Sequence, residues 1–411
     1  MAESEQTASK GREVRIIGLI CSAHFVSHFH LLLLPPVFEV VRTELGVSYV
    51  ALGAVLTMFN IVSALLQTPA GFLVDRVGSR PVLTGGMIVG IVGLLVAATF
   101  PGYWSLIVAY ALLGLANTVY HPADYAILSS TMPQRMAGRA FSFHQFSGFF
   151  GSGVAPACVL FMAAIFGWRG SFYAAALMAA IVVMALLIWG APLSAGAKAK
   201  READGRSATS GKAGLELLLS PPILRNLFFF VLLALSGGGI QTFSVVALGQ
   251  IYGTPAATAN IALSAYLLLS AFGVLVGGFL ADHTSKHERI AAAGFLATST
   301  MVIAVGWGNL GAAALIIAMG TGGLLNGIIQ PSRDMIVRSV TPPGAFGKVF
   351  GFVSTGFNVG GVISPLLYAW LLDHGEPRMV FALVATFILL ALFTVITRPK
   401  PQPAPAATPA E

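Results

Sequence analysis

Apolar runs of about 20 residues recur along nearly the whole chain, and no other feature restricts its fold as much. At a rise of 1.5 Å per residue, each is long enough to cross the ~30 Å hydrocarbon core of a bilayer as an α-helix. Twelve such spans are predicted: 16–38, 49–72, 82–100, 104–131, 137–166, 170–190, 223–248, 258–281, 290–307, 310–337, 346–372 and 378–397. Composition agrees, because 411 residues that are 56% hydrophobic and only 9% charged have too little polar surface to face water. The fold class read from this is an all-α membrane protein.

The first fifteen residues are polar, and the run that follows is too long for a removed signal and lacks a small-residue cleavage site. It is predicted to remain as the first span. Both cysteines, Cys21 and Cys158, fall inside spans, so there is no disulfide framework and no CxxC metal pattern. When successive loops are assigned to alternate sides, 20 of the 23 Lys and Arg residues fall on the side of the N-terminus, leaving only Arg42, Arg169 and Arg378 opposite. By the positive-inside rule both termini are cytoplasmic and the protein is a multi-pass inner (plasma) membrane protein. The net charge of +7 is then a topology signal rather than a nucleic-acid footprint.

One long polar interruption, residues 191–222, is rich in Ala, Gly, Ser and Lys (GAKAKREADGRSATSGKAG) and reads as a flexible cytoplasmic linker. It divides the chain into a short N-terminal segment (1–15), a six-helix bundle (16–190), the linker, a second six-helix bundle (223–397) and a cytoplasmic tail (398–411). The halves are repeats. A shift of 209 places Gly114, Asn117, Pro122, Pro133, Gly138, Phe141, Phe143, Gly151 and Pro156 on identical residues, and a shift of 207 places Gly71, Phe72, Leu73 and Asp75 on Gly278, Phe279, Leu280 and Asp282. Twelve transmembrane helices in two pseudo-symmetric six-helix bundles are an architecture of secondary transporters, with the substrate site between the halves near the midplane.

The loop after the second span, GFLVDRVGSR (Gly71 to Arg80), is echoed by GFLADHTSKH from Gly278. It resembles the signature loop of the major facilitator superfamily. In that reading Gly71 and Gly278 let neighbouring helices approach, Asp75 and Asp282 cap or pair near a helix end, and Arg76 and Arg80 pair with acids or lipid phosphates. His283 and His287 replace the arginines in the second copy, which makes that loop the weaker latch.

A narrower resemblance, to the fosmidomycin-resistance-type exporters, rests on HFVSHFHLLLLPPVF (His24 to Phe38), VYHPADYAIL (Val119 to Leu128) and GRAFSFHQFSGFFGSGVAPA (Gly138 to Ala157). This chain departs from the family in carrying His28 on the first span, where the family tends to have an acid. An acid-based proton site therefore does not carry over.

Polar residues inside spans are costly in lipid and tend to face a cavity or a partner. Asn117, His121 and Asp124 follow one helical face of span four, and the repeat partners Asn326, Gln330 and Arg333 mark the same face of span ten. These faces read either as a polar seam between packed helices or as the wall of a central path. His24 and His28, an i, i+4 pair on span one, join His121 and His144 at comparable depth. Imidazole titrates near neutrality, so such histidines suit a coupling proton; they also suit simple buried hydrogen bonding or a transition metal. With no Cys and no HxxxD pair beside them, no metal site is predicted. His30 reads as facing elsewhere. Asp124 and Arg333 are related by the 209 shift, and opposite charges at equivalent positions predict an ion pair across an inner gate when the cytoplasmic ends close; anion binding by Arg333, or a static pair of Arg333 with Asp334 or a nearby helix, are the other readings.

Glycine and proline punctuation, SGGG at Ser236 to Gly239, Pro35 and Pro36, and the repeat partners Pro156 and Pro365, marks places where helices bend or pack closely. No HExxH, GxSxG or Walker loop is present, which argues against an enzyme, an ATP-driven pump or any cofactor. The leading expectation is a monomeric secondary transporter that exports a small organic compound or drug by alternating access, coupled to a proton. Proton-coupled uptake of an organic anion such as a carboxylate is the alternative. A sensor that has lost transport would need a soluble output domain, which the tail after Thr397 is too short to supply.

Overall fold

A computed structural model describes residues 2–194, 216–284, 286–341 and 346–396. Most of the expected linker and all of the expected tail (398–411) lie outside the described residues, as do the side chains of Asp75 and Asp282. Among the described residues the secondary structure is helical, as a chain in lipid requires if every backbone amide is to be paired within its own segment.

The N-terminal half contains α1 (Ala2–Leu31), α2 (Phe38–Leu45), α3 (Tyr49–Val77), α4 (Ser79–Thr99), α5 (Tyr103–Thr131) and α6 (Gln134–Trp189). The C-terminal half contains α7 (Pro221–Gly238), α8 (Ser244–Tyr252), α9 (Ala256–Asp282), α10 (His287–Trp307), α11 (Ala312–Ser339), α12 (Phe346–Asp373) and α13 (Pro377–Ile396). Twelve crossings result, with two departures from the expected spans. The first span ends at Leu31, because Pro35 and Pro36 cannot extend an α-helix and instead open a single 3-10 turn before the short helix α2. Spans five and six are one continuous element, α6, broken only at Gly167, whose φ of 70° suits a residue without Cβ. At 56 residues α6 is far too long for one crossing, so the break at Gly167 is where the chain turns back.

Packing within each half follows one scheme. In the N-terminal half α1 packs on α6, α3 and α4 on α5, and α4 on α6; in the other half α7 packs on α12, α9 and α10 on α11, and α10 on α13. The repeat extends to individual bonds: Asn117 donates to Ser63 at 3.2 Å, and Asn326 donates to Ser270 at 3.5 Å. A Cβ on Gly114 would strike the backbone carbonyl of Phe59, and one on Gly323 would strike that of Tyr266, so the same glycine lets the same two helices touch in both halves. The halves meet each other along α3 with α12 and along α6 with α9.

Candidate functional site

Contacts across the seam gather away from the face where α1 begins and α13 ends, here termed the terminal face. At the opposite face the backbone N–H groups of Tyr49 and Val50, the first residues of α3, donate to the two carboxylate oxygens of Asp373 at 2.8 and 2.7 Å. Beside them Phe38 packs on Phe243 with ring centres 5.6 Å apart, and Thr57 donates to the carbonyl of Val362 at 3.1 Å. Behind this closure lies a cavity of about 990 Å³ between the halves, walled by α1, α3, α5 and α6 on one side and by α7, α11 and α12 on the other. Because the opposite face is sealed, the cavity opens toward the terminal face.

Four histidines converge on the N-terminal wall. His24 stacks on His144 with ring centres 3.6 Å apart, and lies 4.6 Å from His28 and 5.3 Å from His121. His28 and His121 line the cavity, while His24 and His144 are buried behind them. A carbonyl can only accept, so the 2.7 Å contact between His24 Nδ1 and the His144 carbonyl fixes the Nδ1–H tautomer of His24. Likewise His144 donates from Nε2 to Asp124 Oδ2 at 2.9 Å. His28 Nδ1 meets Ser152 Oγ at 3.1 Å. Room for this comes from α6: a Cβ on Gly148 would sit 2.5 Å from His24 and 2.9 Å from His28. His30 is buried on the same helix but outside the cluster.

On the facing wall Arg333 donates from Nε to Asp334 at 2.8 Å, and its guanidinium lies 5.2 Å from the Phe230 ring and 5.7 Å from the Phe357 ring. Gln241 and Thr242, from a π-helical turn at Gly239–Phe243, complete the lining near the SGGG stretch. Such turns weaken the i→i−4 ladder and are frequent at functional sites.

Several sequence expectations are altered. Asp124 is fully buried against His144 and is absent from the cavity wall. The Asp124–Arg333 pair is expected only when the ends at the terminal face close; in this state, unsealed at that face, Asp124 is bound to His144 and Arg333 to its neighbour Asp334. Asn117 lines the cavity but also holds Ser63; its counterpart Asn326 serves the α9–α11 contact, and Gln330 is half-buried on the same helix. In the signature loop Arg80 donates to the carbonyls of Leu186 and Leu187 at 3.1 and 3.0 Å, tying the loop to the end of α6. Arg76 is exposed. Around Gly71 and Gly278 there is open space where close helix approach was expected, since both lie near the unsealed terminal face.

Sequence reasoning missed Asp373, Phe230, Phe357, Ser152 and Gly148. Of these, Gly148 and Ser152 carried a signal, in the small-residue pattern SGFFGSG (Ser147 to Gly153), which resembles the spacing of closely packed membrane helices.

The chain matches the Major Facilitator Superfamily over residues 20–247 and again over residues 227–411. It is 24% identical over 387 residues to the "Fosmidomycin resistance protein" of Escherichia coli (strain K12), covering 92% of each chain. It is 23% identical to the "Inner membrane transport protein YajR" of the same organism, over 98% of this chain and 86% of that one. Among solved structures, a bacterial homologue of the human lysosomal transporter Spinster, described as inward-facing and unoccupied, superposes with a TM-score of 0.76 at 13% identity over 95% of this chain and 99% of that one.

Proposed function

The chain belongs to the Major Facilitator Superfamily, and from that premise we propose that it is a secondary active transporter that exports a small organic compound by alternating access, driven by the proton gradient. The observation that carries this is the cavity itself. It is large enough for a drug-sized molecule, lies between the two repeats, and is sealed at one face by contacts that a rigid rotation of the halves could break. The moving units are residues 16–190 and 223–397, and they rock about the α3–α12 and α6–α9 seams. The location is the inner membrane with both termini in the cytoplasm, for which the bias of 20 in 23 basic residues is the support. The terminal face is then cytoplasmic and the state described here is open to the cell interior.

The path for substrate and driving ion follows His28, Asn117 and His121 on one wall and Arg333 on the other. Export is favoured over uptake by the resistance protein among the relatives. Uptake of an organic anion is the second reading, favoured by Arg333, a guanidinium presented to the cavity between two aromatic rings.

Proteoliposomes with an imposed pH gradient, challenged with phosphonates, carboxylates and hydrophobic cations, separate the two. Export predicts that a substrate moves against its gradient when protons flow the other way. Co-accumulation of an organic anion with protons would establish uptake instead, and indifference to the pH gradient would remove the proton.

A further inference from the structure

The histidine cluster has a geometry that the transport reading does not require. We propose that His24, His28 and His121 form a binding site for one divalent transition-metal ion of the Zn²⁺ or Ni²⁺ class, with its remaining coordination position turned toward the cavity.

One ring nitrogen from each of the three residues lies within 4.8 Å of the other two. A tetrahedral ion with metal–nitrogen bonds of about 2.0–2.1 Å holds its ligands roughly 3.3 Å apart, so the ring nitrogens, within 4.8 Å now, close by at most about 1.5 Å, a movement within side-chain torsions. The tautomers already suit. His24 spends its Nδ1–H on the His144 carbonyl, which leaves Nε2 as a lone pair, and that atom is buried with no hydrogen-bond partner in a side chain only 1% exposed. Donation of the far ring N–H to a backbone carbonyl is the usual way a metal-binding imidazole is oriented. His28 is held through Nδ1 by Ser152, and Nδ1 of His121 is likewise buried without a partner.

The surroundings also fit a cation. Asp124, fully buried and hydrogen-bonded to His144, places a carboxylate directly behind the ring that stacks on His24. A dication in a medium of low dielectric constant needs such a compensating charge. Three neutral nitrogen donors select against Mg²⁺ and Ca²⁺, which prefer oxygen, and in favour of Zn²⁺, Ni²⁺, Co²⁺ or Cu²⁺. Access is direct because His28 and His121 line the cavity. Gly148 is the position that keeps the two rings of α1 in place, since any side chain there would overlap both.

The test uses the full chain, purified in detergent without a polyhistidine tag, and Co²⁺ as the probe. The expected result is one ion per chain, with the intense visible absorption of a four-coordinate site, displaced by Zn²⁺. His24→Ala, His28→Ala and His121→Ala should each weaken Co²⁺ by more than tenfold, and Gly148→Ala should weaken it as well, while exposed His374→Ala should leave it unchanged. Size-exclusion and helical circular dichroism profiles of the variants identify any that misfold. Absence of a stoichiometric four-coordinate Co²⁺ spectrum in the unmodified chain, which needs no variant, would overturn the proposal. So would full binding in a folded triple-alanine variant. Binding is read without transport, so either proposal can fail while the other stands.

Discussion

At the scale of single residues, the structure separates positions by what they face. Arg333 lines the cavity, and its pairing with Asp334 leaves the guanidinium lying over Phe230 and Phe357 rather than crossing to the other wall. Arg333→Gln should therefore weaken binding of an anionic substrate by about 1.5–3 kcal/mol, a tenfold or greater rise in Kd, with little change in thermal stability. Titration calorimetry on the purified protein reads this, and unchanged affinity for every anion tested would remove Arg333 from the path. Gly148→Ala belongs at the same scale. Overpacking two imidazoles should cost about 1–3 kcal/mol, visible as a lower midpoint in a thermal melt, and an unaltered melt would mean that α1 and α6 yield more easily than the 2.5 Å approach implies. The polar residues themselves were legible in the sequence because charges and amides in lipid are rare and expensive. Apart from Asp334, adjacent to Arg333, their partners were not. Spacing put Asn117, His121 and Asp124 on one stripe about 60° wide, and the border between cavity and helix contact runs through that stripe. Asp124 falls on the α6 side of it, which is why His144 takes the carboxylate.

Helices are the scale at which the sequence was most informative, since a span must be both apolar and long enough, and eight of the expected spans, all but the first, fifth, sixth and seventh, begin and end close to the ends of a described helix. What periodicity could not give was local interruption. The two prolines after the first span stop α1 seven residues earlier than the expected end, and α2 appears as a separate helix whose Glu39 binds Arg42 and the hydroxyl of Tyr49. Nor did anything announce that Asp373, the last residue of α12, would cap the first residues of α3 from the other half. A carboxylate on the free amides of a helix N-terminus contributes about 0.5–2 kcal/mol, and here that stabilises only the state in which this face is closed. Asp373→Ala should thus shift the equilibrium toward opening at this face by roughly two- to thirtyfold. Faster modification of a cysteine introduced at Thr57, which is buried where it meets Val362 of the other half, reads the shift; an unchanged rate would show that the remaining α3–α12 packing dominates the closure.

For the whole molecule, the repeat is the feature that joins sequence to mechanism. The 209 shift was readable because identical Gly, Pro and Asn residues serve the same helix contacts in both halves, as the Asn117–Ser63 and Asn326–Ser270 bonds make plain. The asymmetry laid over it was less readable, because it arises from pairings between helices distant in sequence. Histidines crowd one wall and a single guanidinium faces them from the other. Two bundles that share a fold but not a surface can exchange which face is closed without refolding either one. The most direct check places spin labels in pairs across the halves at each face: Val77 with His283 at the terminal face, and Glu44 with Glu376 at the opposite face, all exposed positions. Electron–electron distance measurements would compare the unaltered protein with Asp373→Ala in lipid nanodiscs. Alternating access predicts reciprocal change, with the Glu44–Glu376 distance lengthening as the Val77–His283 distance shortens. Distances that lengthen together, or an opposite face that opens while the terminal face stays as it was, would contradict it.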